Sequence, residues 1–414
     1  MKSSILQVMK VNLKRPLGTI FCSFLAGMLC LATAGAQGPQ QPELNAVHYK
    51  ALEFPAVEPA ALSEGSQLPS SGRPVQVETP ASSASVATWI NSSPLTMSGL
   101  RGKVVLIDFW EYTCINCIRT FAENKKWYER YRKDGFEIIG VHDPEFDIAY
   151  SADNVRAAVK RFGLPYPVVV DGDFRIWKAY NNSTWPNRFL IDGKGFVRFN
   201  RPGEGGDSAF EHAIRQLLQE AHPGLEFPAD YTIPAEQNAF AASCGTPTEE
   251  MYVGNWFGRG ILANSEGYHE GKTLDYKLSG SVQDGHAAVS GRWETDKNGM
   301  IYRGKNREGS GEDKLVMGYH ERELYAVLNV SHGKPSRLYI KQDGRDLNAK
   351  DKGTDVQFDS GGHSYVEVRE PRMYYLVQNP SFGNHTVELI PSRAGLTVNS
   401  FTFGNDCQTQ FPHL

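Results

Sequence analysis

The sequence lacks an excess of positive charge, because its formal net charge is -4 over 414 residues. It has neither the basic footprint typical of nucleic-acid binding nor a strongly charged run that would suit an anionic surface. Beyond residue 36 it contains no apolar run long enough to span a membrane. It also has no heptad pattern or short-period repeat. With 40% hydrophobic and 22% charged residues, its composition and length indicate a globular protein of two or three domains.

The first 36 residues have the features of a secretory signal peptide. Residues 1–16 carry lysine and arginine but no acidic residue, and the uncharged apolar stretch that follows ends in Ala34-Gly35-Ala36, a small-residue cleavage pattern. The alternative is an uncleaved anchor, because an apolar stretch of about 20 residues can cross a bilayer. Both interpretations predict an exported protein in the periplasm or another extracytoplasmic space, and the second adds a membrane tether.

Composition and periodicity divide the rest of the chain into four segments. Residues 37–80 are rich in proline and polar residues and predict a disordered lead-in. Residues 81–222 alternate apolar strand patterns with amphipathic helix patterns, which predicts a mostly parallel α/β domain that gains an antiparallel hairpin. Residues 223–244 predict a linker. Residues 245–414 contain short alternating runs separated by turn residues, which predicts an antiparallel, jelly-roll-like β-sandwich.

Cys114 and Cys117 form the one CxxC motif of the sequence, and they belong to the stretch EYTCINCIRT. The motif follows the apolar run at 104–110, which predicts a buried strand, and it lies at the start of a predicted helix. A helix N-terminus stabilises an anion, so we expect the pKa of Cys114 to be lowered. Cys114 is then the thiol that attacks a substrate disulfide, and Cys117 resolves the mixed disulfide.

Three interpretations of this motif compete: a redox centre, a structural disulfide and a zinc site. Structural zinc requires four ligands, and His142, at the end of the next predicted strand, is a lone histidine of a kind that is more often a polar strand-end residue. The position between a strand and a helix favours the redox centre, which requires no metal or other cofactor. Arg119, next to the motif, either adds positive potential or is a solvated surface residue.

The stretch VVLIDFWEYTCINC resembles the active site of thioredoxin-fold proteins in the TlpA-like and DipZ-like group of exported thiol oxidoreductases. The similarity extends over residues 86–220 and includes GVHDPEF and TWPNRFLID. The C-terminal segments RMYYLVQNP, HTVELIP and FTFG resemble, more weakly, the β-domain that follows the thioredoxin module in DipZ-like proteins. The resemblance implies a thioredoxin-like domain at 81–222 followed by the β-sandwich at 245–414. DipZ-like proteins begin with a multi-span membrane module that this sequence lacks, so the electron donor is left open.

The resemblance also implies roles for Asp108 and Pro186. Asp108, six residues before Cys114, matches the buried aspartate of thioredoxins. Its apolar surroundings should raise its pKa, and it would accept or relay the proton of Cys117. Pro186 matches the family's cis-proline, which leaves the preceding backbone free to pair with a substrate segment. The alternatives are an aspartate satisfied by local hydrogen bonds and a proline that starts a strand.

These observations predict a thiol:disulfide oxidoreductase, and the resemblance to reducing members favours a reductase. Its predicted partners are protein disulfides or dithiols and an unidentified membrane or periplasmic electron donor. One alternative is a thiol peroxidase, but this requires a threonine three residues before the reactive cysteine and a proline further upstream. Thr113 lies one residue before Cys114, and the preceding strand has no proline. The other alternative is a binding protein with an inert thioredoxin fold.

Cys244 and Cys407 flank the predicted β-sandwich. Because the termini of a domain often lie close together, we expect them to form a structural disulfide; separate thiols and exchange of Cys244 with Cys114 are the alternatives. The domain contains no recognisable catalytic cluster, and its predicted ligand is a glycan or a protein. Its aromatic residues would form either a sugar-stacking face or a core: Trp256, Trp293, Tyr319, Tyr325, Tyr339, Tyr374 and Tyr375.

Overall fold

The computed structural model describes residues 88–227, 248–255, 260–306 and 312–404, and also the short strand at Tyr49–Lys50. The predicted signal peptide, most of the predicted linker, Cys244 and Cys407 lie outside these residues. The pairing of those two cysteines therefore stays a prediction. Over the residues that the structure covers, we find no helix with both the length and the apolar character needed to cross a bilayer.

A seven-stranded sheet forms the centre of the first folded region, in the order β1-β7-β6-β3-β4-β5-β2. The three central strands β3, β4 and β5 run parallel, whereas β2, β6 and β7 pair antiparallel with their neighbours. The strands are β1 (Tyr49–Lys50), β2 (Thr88–Ile90), β3 (Val104–Trp110), β4 (Phe136–His142), β5 (Val168–Val170), β6 (Asn187–Ile191) and β7 (Phe196–Pro202).

Four α-helices accompany this sheet, and their apolar faces pack against it. Ser151 caps the second helix at Asn154 N, and Gly163 ends it with a φ of 58°, the left-handed conformation that suits glycine. The helices are α1 (Ile115–Tyr131), α2 (Ala152–Phe162), α3 (Arg175–Ala179) and α4 (Asp207–Ala221). Their order with the strands confirms the thioredoxin-like α/β fold, including the hairpin of β6 and β7 around Gly195, whose φ is 82°.

The second folded region consists of antiparallel strands in one 13-stranded sheet. Most of its longer strands coincide with the alternating runs of the sequence, because period-two alternation is a local property of the chain. The strands are β8 (Met251–Tyr252), β9 (Thr273–Tyr276), β10 (Ala287–Asp296), β11 (Gly299–Tyr302), β12 (Lys314–His320), β13 (Glu323–Val330), β14 (Ser336–Gln342), β15 (Arg345–Asp346), β16 (Gln357–Phe358), β17 (Ser364–Val368), β18 (Arg372–Gln378), β19 (Asn384–Pro391) and β20 (Leu396–Gly404).

Strand β10 joins the two halves of this sheet. Its first part, up to Ser290, pairs with β12, and its second part pairs with β9 and β11. Gly291 lies at the change and has a φ of 88°, a conformation that favours glycine. Both halves contribute to one buried core, for example Leu315 and Leu338 from one half and Leu324 and Phe401 from the other. The region thus encloses its core as a sandwich does, but as one continuous sheet.

The C-terminal sheet also packs directly against the thioredoxin-like region. Along β13, Tyr325 and Val327 belong to the core of the thioredoxin-like region, whereas the alternating residues Leu324 and Ala326 face the sandwich core. Strand β18 divides its side chains in the same way. Alternate residues of a strand point to opposite faces, so these two strands are buried on both faces. The described residues of the two folded regions accordingly belong to a single compact unit.

Candidate active site

Strand β3 ends at Trp110 and helix α1 begins at Ile115, so the CxxC motif lies at the N-terminus of this helix. Cys114 is the N-cap of this helix, and its sulfur accepts a hydrogen bond of 3.3 Å from Cys117 N. The two Sγ atoms are 2.6 Å apart, and both cysteines are free thiols. Cys114 is half-buried, while Cys117 is completely buried. The structure therefore has one partly exposed and one fully buried cysteine, as an attacking and a resolving thiol require.

The pKa of the Cys114 thiol is raised, which differs from the expectation drawn from its position at a helix N-terminus. Burial is the main cause; hydrogen bonding with Cys117 acts in the opposite direction, and the carboxylates of Glu145 and Glu250 add to the increase. The pKa of Cys117 is raised further, mainly by burial and then by its contact with Cys114. Both thiols are thus largely protonated until a substrate or a base draws the proton away.

Asp108 is completely buried in β3, below the cysteine pair. Burial raises its pKa to about 7, while the charge of Arg188 and a hydrogen bond from Asn124 act against the increase. Asn124 Nδ2 donates to Asp108 Oδ2 at 2.9 Å, whereas Oδ1 has no hydrogen-bond partner among the described residues. The negative charge of Asp108 also raises the pKa of Cys117, so the carboxylate lies within electrostatic reach of this thiol.

The Trp185–Pro186 peptide bond is cis, as the resemblance implied. Pro186 directly precedes β6, and its carbonyl oxygen accepts a hydrogen bond of 2.8 Å from Gly203 N. The next residue, Asn187, pairs with Phe109 of β3. The proline therefore lies at the end of the sheet from which the CxxC motif emerges.

Arg119 is buried at the start of α1 and is not a solvated surface residue. Its Nη1 atom contacts Asn116 Oδ1 at 3.0 Å and Glu204 Oε1 at 3.1 Å, and its Nη2 atom donates to the carbonyl oxygen of Phe403 in β20 at 3.4 Å. Glu204 directly follows Gly203, whose backbone N donates a hydrogen bond to the Pro186 carbonyl oxygen. One guanidinium thus connects the CxxC dipeptide, the loop beside the cis-proline and the C-terminal sheet.

A buried glutamate and histidine lie behind the motif, and the sequence analysis did not assign them to the site. Glu111 Oε1 is 3.6 Å from His142 Nε2, and both side chains are completely buried. Glu111 Oε2 accepts hydrogen bonds from the backbone N and the hydroxyl of Thr113. Tyr112 stacks on His142 with ring centroids 5.6 Å apart. The available signal for Glu111 was its position in the sequence: it is a charged residue that directly follows the apolar run of β3 and lies three residues before Cys114.

Glu145 and two residues of the C-terminal region form a second group that the sequence analysis missed. The hydroxyl of Tyr252 donates to Glu145 Oε1 at 2.5 Å, and its distance to Glu250 Oε2 is 3.2 Å. Tyr252 and Glu145 are 107 residues apart in the chain. No local pattern brings them together, although Glu145 belongs to the GVHDPEF segment that carried part of the resemblance.

The aromatic residues considered for sugar stacking are core residues wherever the structure describes them. Trp293, Tyr319, Tyr325, Tyr339, Tyr374 and Tyr375 are all buried, and Trp256 lies outside the described residues. They pack the interior of the C-terminal region or its contact with the thioredoxin-like region. A sugar-stacking face made of these described residues is therefore excluded.

Two family matches divide the chain at the same place as the fold. Residues 77–200 match the AhpC/TSA family, and residues 248–404 match the thioredoxin like C-terminal domain. Among the described residues, no group of three or more histidine, cysteine or acidic side chains is arranged to hold a metal ion.

Curated relatives include Protein DipZ of Mycobacterium bovis, which is 31% identical over 325 residues, 77% of this chain and 42% of DipZ. Thiol-disulfide oxidoreductase ResA of Bacillus subtilis is 34% identical over 107 residues, 26% of this chain and 57% of ResA. The chain thus spans less than half the length of DipZ. A solved thioredoxin-like superfamily protein is 26% identical and aligns with 34% of this chain and 94% of its own, with a TM-score of 0.30. The resemblance to DipZ-like and TlpA-like proteins stated from the sequence is confirmed.

Proposed function

We propose that this chain, whose residues 77–200 match the AhpC/TSA family and whose residues 248–404 match the thioredoxin like C-terminal domain, is an exported thiol-disulfide reductase acting on protein disulfides. The observation that carries this proposal is the cysteine pair: half-buried Cys114 caps α1, and buried Cys117 lies with its sulfur 2.6 Å away. The name of one relative, thiol-disulfide oxidoreductase ResA, supports the same chemistry.

The proposed reaction begins when the Cys114 thiolate attacks one sulfur of a substrate disulfide. The substrate S–S bond breaks, a mixed disulfide forms on Cys114, and the released substrate sulfur takes up a proton. Cys117, whose proton passes to Asp108, then attacks the Cys114 sulfur and releases the second substrate thiol. The substrate gains two electrons and the CxxC becomes a disulfide. An unidentified membrane or periplasmic donor must then return two electrons.

The experiment that tests this proposal is the reduction of insulin disulfides by the pre-reduced protein. Wild-type protein should reduce insulin, Cys114→Ser should be inactive because the attacking thiol is absent, and Cys117→Ser should accumulate mixed disulfides on Cys114. Mass spectrometry of those adducts in an extract would identify the substrates. A Cys114→Ser protein with full activity would reject the proposal, and a wild-type CxxC that neither dithiothreitol nor oxidised glutathione turns over would favour an inert binding protein.

Export is the second part of the proposal, and the basic and apolar residues of the first 36 positions support it. Expression of the full chain in a bacterial host should yield periplasmic protein that begins at Gln37. A mature N-terminus at Met1 in the membrane fraction would instead indicate the uncleaved anchor.

The C-terminal region is proposed to dock onto the redox domain and hold its active site. The contacts of β13 and β18 with the thioredoxin-like core, and that of Arg119 with Phe403, support this role. A further glycan or protein ligand of this region remains part of the proposal. A glycan array probed with the full-length Cys114→Ser protein tests for a glycan ligand, because this variant cannot form mixed disulfides through Cys114.

A thiol peroxidase is the second candidate, because residues 77–200 match the AhpC/TSA family. The position three residues before Cys114 is Glu111 rather than threonine, which counts against it. Consumption of hydrogen peroxide by the reduced protein, compared with its reduction of insulin, distinguishes the two activities.

A further inference from the structure

The group formed by Glu145, Tyr252 and Glu250 lies where the C-terminal region meets the active site. Tyr252 is in β8, and Glu145 is in the loop after β4. The Tyr252 ring is 6.0 Å from the ring of Phe146, and both rings belong to the core cluster against which Cys114 packs. The redox domain supplies one carboxylate of this group, and the C-terminal region supplies the other carboxylate and the hydroxyl between them.

The geometry of the group fixes the position of the carboxylate of Glu145, which is next in the chain to Phe146 of the core cluster against which Cys114 packs. A tyrosine hydroxyl has one proton to donate, and Tyr252 uses it on Glu145 at 2.5 Å while Glu250 lies 3.2 Å from the same oxygen. Glu145 is largely buried, so solvent ions screen it little. Glu250 is exposed and its effect is correspondingly weaker.

The titratable groups that act on the Cys114 thiol are Cys117, Glu145 and Glu250. The pKa of Cys117 is in turn raised by the charge of Asp108. The two glutamates both oppose ionisation of Cys114, because a like charge nearby disfavours an anion. The hydrogen bonding of Cys117 is the one contribution of this set that favours the thiolate.

We propose that Tyr252 is a positioning residue of the redox centre, which holds Glu145 near Cys114, and that the Glu145 and Glu250 carboxylates poise the CxxC pair to reduce its substrates. This inference rests on the proposed oxidoreductase function and gives it a direction. A thiol-disulfide protein is strongly oxidising when its reduced form is stabilised, as by an ionised cysteine. Fixed carboxylates have the opposite effect, since they withhold that stabilisation from the dithiol.

The test compares the full-length protein with Glu145→Gln, Glu250→Gln and Tyr252→Phe, and uses Glu249→Gln as the control for an exposed neighbouring charge. Iodoacetamide labelling of Cys114 is followed against pH by peptide mass spectrometry, which separates it from the other cysteines. The equilibrium of the CxxC with glutathione is measured in parallel. Glu145→Gln and Glu250→Gln should lower the midpoint pH of labelling. At a pH near the wild-type midpoint, where the thiolate is populated, they should also decrease the equilibrium constant for reduction of oxidised glutathione severalfold, the first more than the second.

Two further variants separate charge from structure. Tyr252→Phe removes the hydroxyl bond to Glu145 and should shift both readouts in the same direction as Glu145→Gln. Glu250→Asp retains the charge and should stay near the wild type even if the glutamine variant folds poorly. Labelling midpoints and glutathione equilibria of both glutamine variants that coincide with those of Glu249→Gln would overturn the inference.

Failure of the inference and failure of the proposed function give different results. A wild-type protein that reduces insulin, together with unshifted glutamine variants, would reject the positioning role and leave the reductase function intact. A wild-type protein that cannot reduce insulin, together with shifted variants, would reject the reductase function while supporting the contact between Cys114 and the C-terminal region.

Discussion

The protonation of Asp108 affects stability and, in the proposed reaction, catalysis. Its pKa lies near 7 in the folded protein, against an ordinary value of 3.8. Because the folded pKa of this acid is raised, the folded state binds more protons than the unfolded chain between about pH 4 and 7, and its stability falls as the pH rises through that window. Above pH 7 the cost of the buried charge is fully present.

Asp108→Asn should therefore increase the free energy of unfolding relative to wild type at pH 8 but not at pH 4, with about 4 kcal/mol as the upper limit of the difference. Urea denaturation at both pH values measures this change. The same substitution should slow the release of a trapped mixed disulfide by about 100-fold at pH 8, because Cys117 loses its base. A wild-type release rate that does not increase through pH 7 would contradict the assigned role.

Residue-level features were predicted from the sequence to the extent that they are local. The raised pKa of Asp108 follows from the apolar run around it, and the N-cap position of Cys114 follows from the change between strand and helix patterns. The direction of the Cys114 pKa was wrong, because burial and Glu145 outweigh the helix terminus. Those contributions come from chain segments that no local pattern relates to the motif.

The Arg119 side chain connects helix α1 to strand β20 through its hydrogen bond to the Phe403 carbonyl oxygen. Its side chain is buried, as is most of its partner Glu204, so Arg119→Met should leave an unpaired buried carboxylate and cost about 3 kcal/mol. Arg156→Met removes an exposed ion pair with Asp153 in α2 and should cost less than about 1 kcal/mol. Equal changes in the urea midpoints of the two variants would show that the Arg119 contacts add no stability.

Strand β10 provides an element-scale test of the change between sheet halves at Gly291. A Cβ atom there would lie 2.0 Å from Asp313 Oδ1 and would sit on a backbone with a φ of 88°, so Gly291→Ala should destabilise by about 2 kcal/mol or more. Gly362 has a φ of 82° but no atom within 4 Å of the added Cβ. Gly362→Ala should cost about 1 kcal/mol, and thermal denaturation compares the two.

The strand pattern of the C-terminal region was predictable, whereas its pairing was not. The runs ELYAVLNV and RMYYLVQ identify the strands β13 and β18, because short stretches of apolar and aromatic residues between turn residues are local features of the sequence. Both strands have apolar or aromatic residues at nearly every position, and this is a sign that both faces are buried. This pattern indicates that both faces of the strands are covered, but it does not identify the thioredoxin-like region as the element that covers one of them.

At the scale of the whole molecule, the two folded regions share a core and should lose their structure together. Tyr325 and Tyr375 stack with centroids 4.4 Å apart and both donate to Glu323, on the face turned toward the thioredoxin-like region. Tyr375→Ala should lower the stability of both regions by about 3 kcal/mol or more, since it removes a buried aromatic side chain.

Two probes measure this coupling. Exposure of Cys117 to a thiol reagent reports on the thioredoxin-like region, and hydrogen exchange of peptides from β12 and β19 reports on the C-terminal region. Both should have one transition midpoint in the wild type and should shift together in Tyr375→Ala, as a cooperative unit requires. A midpoint for Cys117 exposure that stays unchanged while the other falls would indicate two independent domains.

Strands β13 and β18, which are buried on both faces, limit the domain exchanges that such a protein can tolerate in evolution. A recombination event that exchanged only the thioredoxin-like half would leave Tyr325, Val327, Met373 and Tyr375 without a matching surface, and an exposed apolar patch of this kind promotes aggregation. The two halves are therefore expected to be inherited as a pair. A chimera of this chain with a foreign β region should be insoluble unless the residues on both sides of the contact are transferred together.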